Sequence, residues 1–159
     1  MDLLDQMLEH DRWATAVLLD QSRTLSDAQL DQSFDIGHRT IRATFLHMIP
    51  NVEFWTRLMA GQIVDGEPED ASISELTQLH ERSYDGFARQ ARRFRDDGRL
   101  NDAYVDHYQV RKSLGGTILM VIQHNAEHRT EIVHMLTRLG APNVPEVDLG
   151  VWDYLQHNT

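Results

Sequence analysis

The sequence contains no cysteine. Disulfides, a cysteine nucleophile and thiolate metal ligands are therefore excluded, and any thiol in the chemistry has to arrive with a substrate. Basic charge is also scarce. Fifteen Lys and Arg stand against 25 Asp and Glu, a formal net charge of −10 with histidine neutral. Nucleic-acid binding needs a basic stripe for the phosphates. The only local basic cluster, Arg89, Arg92, Arg93 and Arg95, is followed closely by acids and reads as a solvated helix face. No uninterrupted apolar run approaches membrane-spanning length. The N-terminal MDLLDQMLEHDRW is acidic and amphipathic, unlike the basic-then-apolar order of a signal peptide. Neither nucleic acid nor membrane is expected as a partner, and the expected location is the cytoplasm.

What is present is helical. The 159 residues, 41% hydrophobic and 25% charged, suit one globular domain over 1–159. A first helix is expected over about 2–23, with Leu3, Leu4, Met7, Ala14, Leu18 and Gln21 on one side. Ser26-Asp27-Ala28-Gln29 has the form of a capping box for a short helix. The second long pattern covers 41–60, with Thr40 as N-cap and a seam of Ile41, Phe45, Met48, Val52, Trp55 and Met59. Pro50 sits inside it and is expected to kink or split it. GQIVDGEPEDAS reads as loop. A third helix follows the capping box Ser72-Ile73-Ser74-Glu75, carries Leu76, Leu79, Ser83, Phe87, Ala91 and Phe94 on one face, and stops at Gly98. Residues 99–112 are irregular, with a short extended piece at YVDHYQV. A fourth helix runs over 114–139 between Ser113 and Gly140, and the proline-containing tail ends in an apolar cluster that packs on the bundle. The expected fold is all-α, a four-helix bundle with a long connection between the second and third helices.

The fourth helix carries HNAEHRTEI, with two histidines four residues apart. Projected at about 100° per residue, His124 and His128 lie within about 40° of each other and share the stripe of Thr117, Val121 and Met135. Two imidazoles one turn apart on an inward face fit a shared metal ion, and they equally fit histidines satisfied inside a core. A metal site needs a third ligand from another element. His10, His47 and His80 are the candidates, and pattern alone favours His10 and His80 because His47 lies about 120° from the centre of its seam. HNAEH also has the form H-x-x-E-H of a metalloprotease helix, with Glu127 as base, but the larger architecture those enzymes need is missing. Glu131-Ile132-Val133-His134 is a single copy of a motif that di-iron bundles use twice.

These residues resemble the DinB/YfiT family of metalloenzymes over nearly the whole chain. Ser113-Leu114-Gly115-Gly116, followed at the family's offset by His124-Asn125-Ala126-Glu127-His128-Arg129-Thr130-Glu131, matches its fourth helix. The tail Leu139-Gly140-Ala141-Pro142 with Asp148, and Trp13 in the first helix, also fit. Thr40-Ile41-Arg42-Ala43-Thr44-Phe45-Leu46-His47 matches the segment that carries the family's third histidine. The resemblance therefore selects His47, His124 and His128 as metal ligands. Thr130-Glu131 departs from the family's Gly-Gln. Glu131 projects on the ligand face and is carried as the candidate catalytic residue, whether as fourth ligand, as acceptor for a histidine, as a buried neutral acid or as a residue turned aside.

Three neutral imidazoles leave coordination positions open, the pattern of a catalytic ion, with zinc or nickel first and iron, manganese or copper also compatible. The resemblance implies an S-transferase joining a low-molecular-weight thiol cosubstrate, bacillithiol or mycothiol in kind, to a small electrophile. Hydrolysis by metal-activated water and a non-catalytic metal-binding stress-response role are the alternatives. It also implies a homodimer. His10 and His80 are read as capped or solvent-edge histidines before any supporting role at the site. His38, His107, His134 and His157 are given no role, and Trp13, Trp55 and Phe87 are read as core.

Overall fold

The computed structural model describes residues 1–62, 68 and 70–158. Residues 63–67 and 69, within the segment read as loop, lie outside the described residues. The chain forms α1 (Leu3–Ser22), α2 (Asp27–Leu30), α3 (Ile41–Met59), α4 (Ile73–Asp96), strands β1 (Ala103–Val105) and β2 (Arg111–Ser113), α5 (Leu114–Arg138) and α6 (Leu149–Asn158). It is an all-α helical bundle with one antiparallel hairpin, in which Tyr104 faces Lys112.

Local chemistry sets the helix ends. The Ser26 and Ser72 capping boxes both form, and the side chains of Thr40 and Ser113 accept from the backbone N–H of Ala43 and Gly116. α3 is continuous through Pro50, which is buried. Packing of α3 on two neighbours outweighs the one hydrogen bond that proline removes. The α3 seam is buried as its spacing predicts. The α1 seam is buried only in part: Ala14 and Leu18 are fully buried, but Leu3 is 77% exposed, and Leu8, Asp11, Thr15, Leu18 and Ser22 form the inward row. Three of those inward residues are polar, so a search for apolar spacing misses the row.

α1 packs on α4 and α5, and α3 packs on the same two helices. The segments 23–40 and 97–113 therefore cross the bundle, which explains why the first carries α2 and the second the hairpin. Gly115 allows the second crossing to close: its N–H donates to the Leu100 carbonyl at 2.8 Å, and a Cβ there would stand 3.0 Å from that oxygen. The basic cluster of α4 is not wholly solvated. Arg92 pairs with Asp5 and Glu9, and Arg95 with Asp2 and Asp5, along α1. The Arg92 guanidinium is the main reason that the Asp5 carboxyl is held to about 2.

The core has two parts. Leu8, Trp55, Phe87, Ile118 and Val121 belong to one, at the hairpin end. Leu18, Phe45, Met48, Leu76, Ile132 and Met135 belong to the other. Between them every long helix contributes polar residues: Asp11 and Thr15 from α1, His47 and Asn51 from α3, His80 and Ser83 from α4, and His124, Asn125, His128 and Arg129 from α5. This middle layer holds the candidate site.

Candidate metal centre

α3 and α5 lie side by side, and in the middle layer their histidines meet. The Nε2 atoms of His47 and His124 are 3.0 Å apart, and those of His128 and His124 are 3.1 Å apart. The three rings have centroid separations of 5.0, 4.8 and 4.4 Å. All three residues are half-buried. Two imidazole nitrogens on one tetrahedral zinc would stand roughly 3.3 Å apart, given Zn–N near 2.0–2.1 Å.

The far nitrogens are held as well. His128 donates from Nδ1 to Glu131 Oε2 at 2.7 Å, and the Asn51 amide nitrogen lies 3.4 Å from His124 Nδ1. A neutral imidazole has one N–H. The proton of His128 is on Nδ1, so its Nε2 carries a lone pair aimed into the cluster. The Glu131 carboxylate in turn rests on Gly37, where φ is +45° and any Cβ would collide with the carboxylate. Glycine is required there both for its backbone angle and for the space.

That close approach brings His38 to the site, a residue to which the sequence assigned no role. Its ring stacks on His47 at 3.9 Å and meets His128 edge-on at 5.2 Å. One ring nitrogen from each of His38, His47 and His128 lies within 4.8 Å of the others. His124 is not in that trio, but its Nε2 stands 3.0 Å from that of His47 and 3.1 Å from that of His128, and its ring is half-buried while His38 is exposed at the rim. Nothing periodic marks His38, because it sits in the crossing loop; its only sequence signal is the glycine before it.

Burial is the first cause that lowers the pKa of His47, to about 4, and the neighbouring His38, His124 and His128 lower it further. His124 and His38 are lowered for the same leading reason, with His128 adding to both. Neutral imidazole is the form that binds a metal ion, and ring nitrogens this close together fit a divalent cation.

The other histidines go elsewhere. His10 Nε2 lies 2.9 Å from the Val147 carbonyl and His80 Nε2 3.1 Å from that of Arg12, so backbone oxygens satisfy both. His107 packs on Phe54, Trp55 and Tyr108 at the hairpin. Glu127 is exposed and accepts from Gln123, turned away from the metalloprotease geometry. The histidine pair is also not centred on the buried stripe of α5. That stripe runs through Leu114, Val121, Asn125, Ile132 and Leu136, and His124 and His128 stand at its edge. The polar Asn125 and Arg129 take the central positions, which an apolar projection passes over.

The DinB family model matches residues 1–155. A search of curated proteins finds no match.

Proposed function

This chain belongs to the DinB family, and from that membership and the histidine geometry we propose that it is a metal-dependent enzyme with His47, His124 and His128 as ligands. The approach of His124 Nε2 to 3.0 Å from His47 Nε2 and 3.1 Å from His128 Nε2 carries the reading. When bound, a divalent cation would supply Lewis acidity that lowers the pKa of a thiol or of water. The first choice of reaction is transfer of a low-molecular-weight thiol to a small electrophile, since the chain has no sulfur nucleophile of its own.

The side chains divide the remaining work. Glu131 accepts the Nδ1 proton of His128, which fixes that ring's tautomer and aim; we assign it as a positioning residue. The Asn51 amide nitrogen is a donor 3.4 Å from His124 Nδ1, so it can hold that ring only through a bond that the ring accepts. Core residues lie on either side of the layer, and His38 is the exposed ring of the group. His38 is placed to donate to, or accept from, a ligand entering beside His47.

The test is metal analysis of protein purified without added metal, then titration with Zn²⁺ and Ni²⁺. One equivalent of tightly held ion, lost in His124→Ala, is expected. A bacillithiol-type thiol should then bind saturably to the wild type and not to that variant. Absence of metal uptake would overturn the proposal as a whole. Metal uptake with ester or amide turnover and no thiol binding would replace transfer by hydrolysis.

A further inference from the structure

The middle layer holds a second polar cluster, on the α1 side of α5. Asp11 is fully buried. Its carboxylate accepts from Asn125 Nδ2 at 2.8 Å and from the Tyr84 hydroxyl at 2.9 Å, and it pairs with the Arg129 guanidinium, which also donates to Thr15 Oγ1 at 3.3 Å. Asn125 follows His124 in the chain, and Arg129 follows His128. His124 and His128 are thus each succeeded by a side chain that the same carboxylate holds.

The consequence is rotational. At about 100° per residue, the two anchors point roughly a quarter-turn away from the two rings. Gripping both, one turn apart, leaves α5 a single roll about its own axis. An imidazole nitrogen lies some 7 Å from that axis, so a roll of about 10° moves it by about 1 Å, enough to spoil a coordination geometry. An apolar seam alone tolerates such rolls by repacking.

We propose that Asp11 is a positioning residue for the candidate metal centre: through Asn125 and Arg129 it fixes the roll of α5 and so aims His124 and His128 at His47. The proposal rests on the metal reading above.

The experiment is calorimetric titration of Zn²⁺ into four proteins, with the visible absorption of Co²⁺ recorded for each. These are the wild type, the double variant Asp11→Leu/Arg129→Met, Asn125→Leu, and Phe94→Leu as a control that loosens the core away from the layer. The double variant removes both charges, so no unpaired charge remains buried. It should bind Zn²⁺ about 10- to 100-fold more weakly, the size of effect seen when residues behind a ligand are changed. Asn125→Leu should lose about 3- to 10-fold on the same basis, and both variants should show altered Co²⁺ bands. Phe94→Leu should stay within about two-fold of the wild type. Unchanged affinity and bands in Asn125→Leu would overturn the role of Asp11, and this variant decides the matter if the double variant does not fold. A loss in Phe94→Leu equal to that in Asn125→Leu would overturn it too, because general stability would then be the cause. A wild type that takes up neither ion removes the metal reading itself, whereas metal binding that the variants leave unaltered removes only the part played by Asp11.

Discussion

Two polar clusters share the middle layer, on opposite sides of one helix, and they differ in what completes them. On the α1 side, the carboxylate of Asp11 meets a guanidinium, an amide and a phenol, so donors and acceptors match. On the α3 side, imidazole nitrogens face one another, and the nearest carboxylate, Glu131, is already engaged at the far side of His128. Opposite charges close the first cluster without help. The second gathers imidazole nitrogens with no carboxylate set between them. A buried polar group is costly when unpaired, so the contrast separates a cluster that supports the fold from one that uses the fold's support.

The largest effect should come from breaking the first cluster alone. Arg129→Met leaves the Asp11 carboxylate buried without its cation, and chemical denaturation should show a loss of about 3–5 kcal/mol. A loss under about 1 kcal/mol would mean that the pair is not the closed unit described. The second cluster should answer in the opposite way. His47→Ala should lower Zn²⁺ affinity by on the order of 100-fold or more while changing the metal-free protein's stability little, as judged by titration and melting in parallel. Glu131→Gln keeps the shape but weakens the acceptor for His128, and a drop of about 10-fold in Zn²⁺ affinity is expected.

Acid sharpens the comparison further. The folded chain holds His47 at about 4, against 6.5 for a free histidine, so the unfolded chain takes up that proton first as pH falls. Stability of the metal-free protein should therefore decline from about pH 6.5 to about pH 4, with His124, His38 and His80 acting in the same direction. The Asp5 carboxyl, held near 2, adds its own loss only at lower pH. Melting curves from pH 7.5 to 4.5 test this, and a flat profile would contradict it. Saturating Zn²⁺, at 100 times its dissociation constant, should add about 2.7 kcal/mol near neutrality, a gain that fades as protons compete for the rings. His38→Ala should be the mildest change, within about three-fold in Zn²⁺ affinity, since its ring stands at the rim.

The helices were legible because their signals are local. Ser26, Thr40, Ser72 and Ser113 cap where side-chain oxygens can reach nearby N–H groups, and the α3 seam follows from spacing alone. Pro50 does not split α3, because a local rule does not see the helices that α3 packs against. The His124–His128 pair is visible as an i, i+4 repeat, whereas His47 stands off its own seam and was selected only by resemblance to a family. His38 and Asp11 carried no periodic signal: one lies in a loop, marked only by the glycine before it, and the other is a charge in a row sought by apolar spacing.

The sequence by itself determined the extent and capping of the long helices, the absence of any sulfur chemistry from the chain, and the presence of two imidazoles one turn apart. The tertiary structure alone decided that α1 and α3 both pack against α4 and α5, that the polar residues fall into one layer, and that His47 and His38 come to the pair. The physical reason is distance along the chain. Capping and helical periodicity act across three or four residues, but 77 residues separate His47 from His124 and 114 separate Asp11 from Asn125, so only packing brings them together.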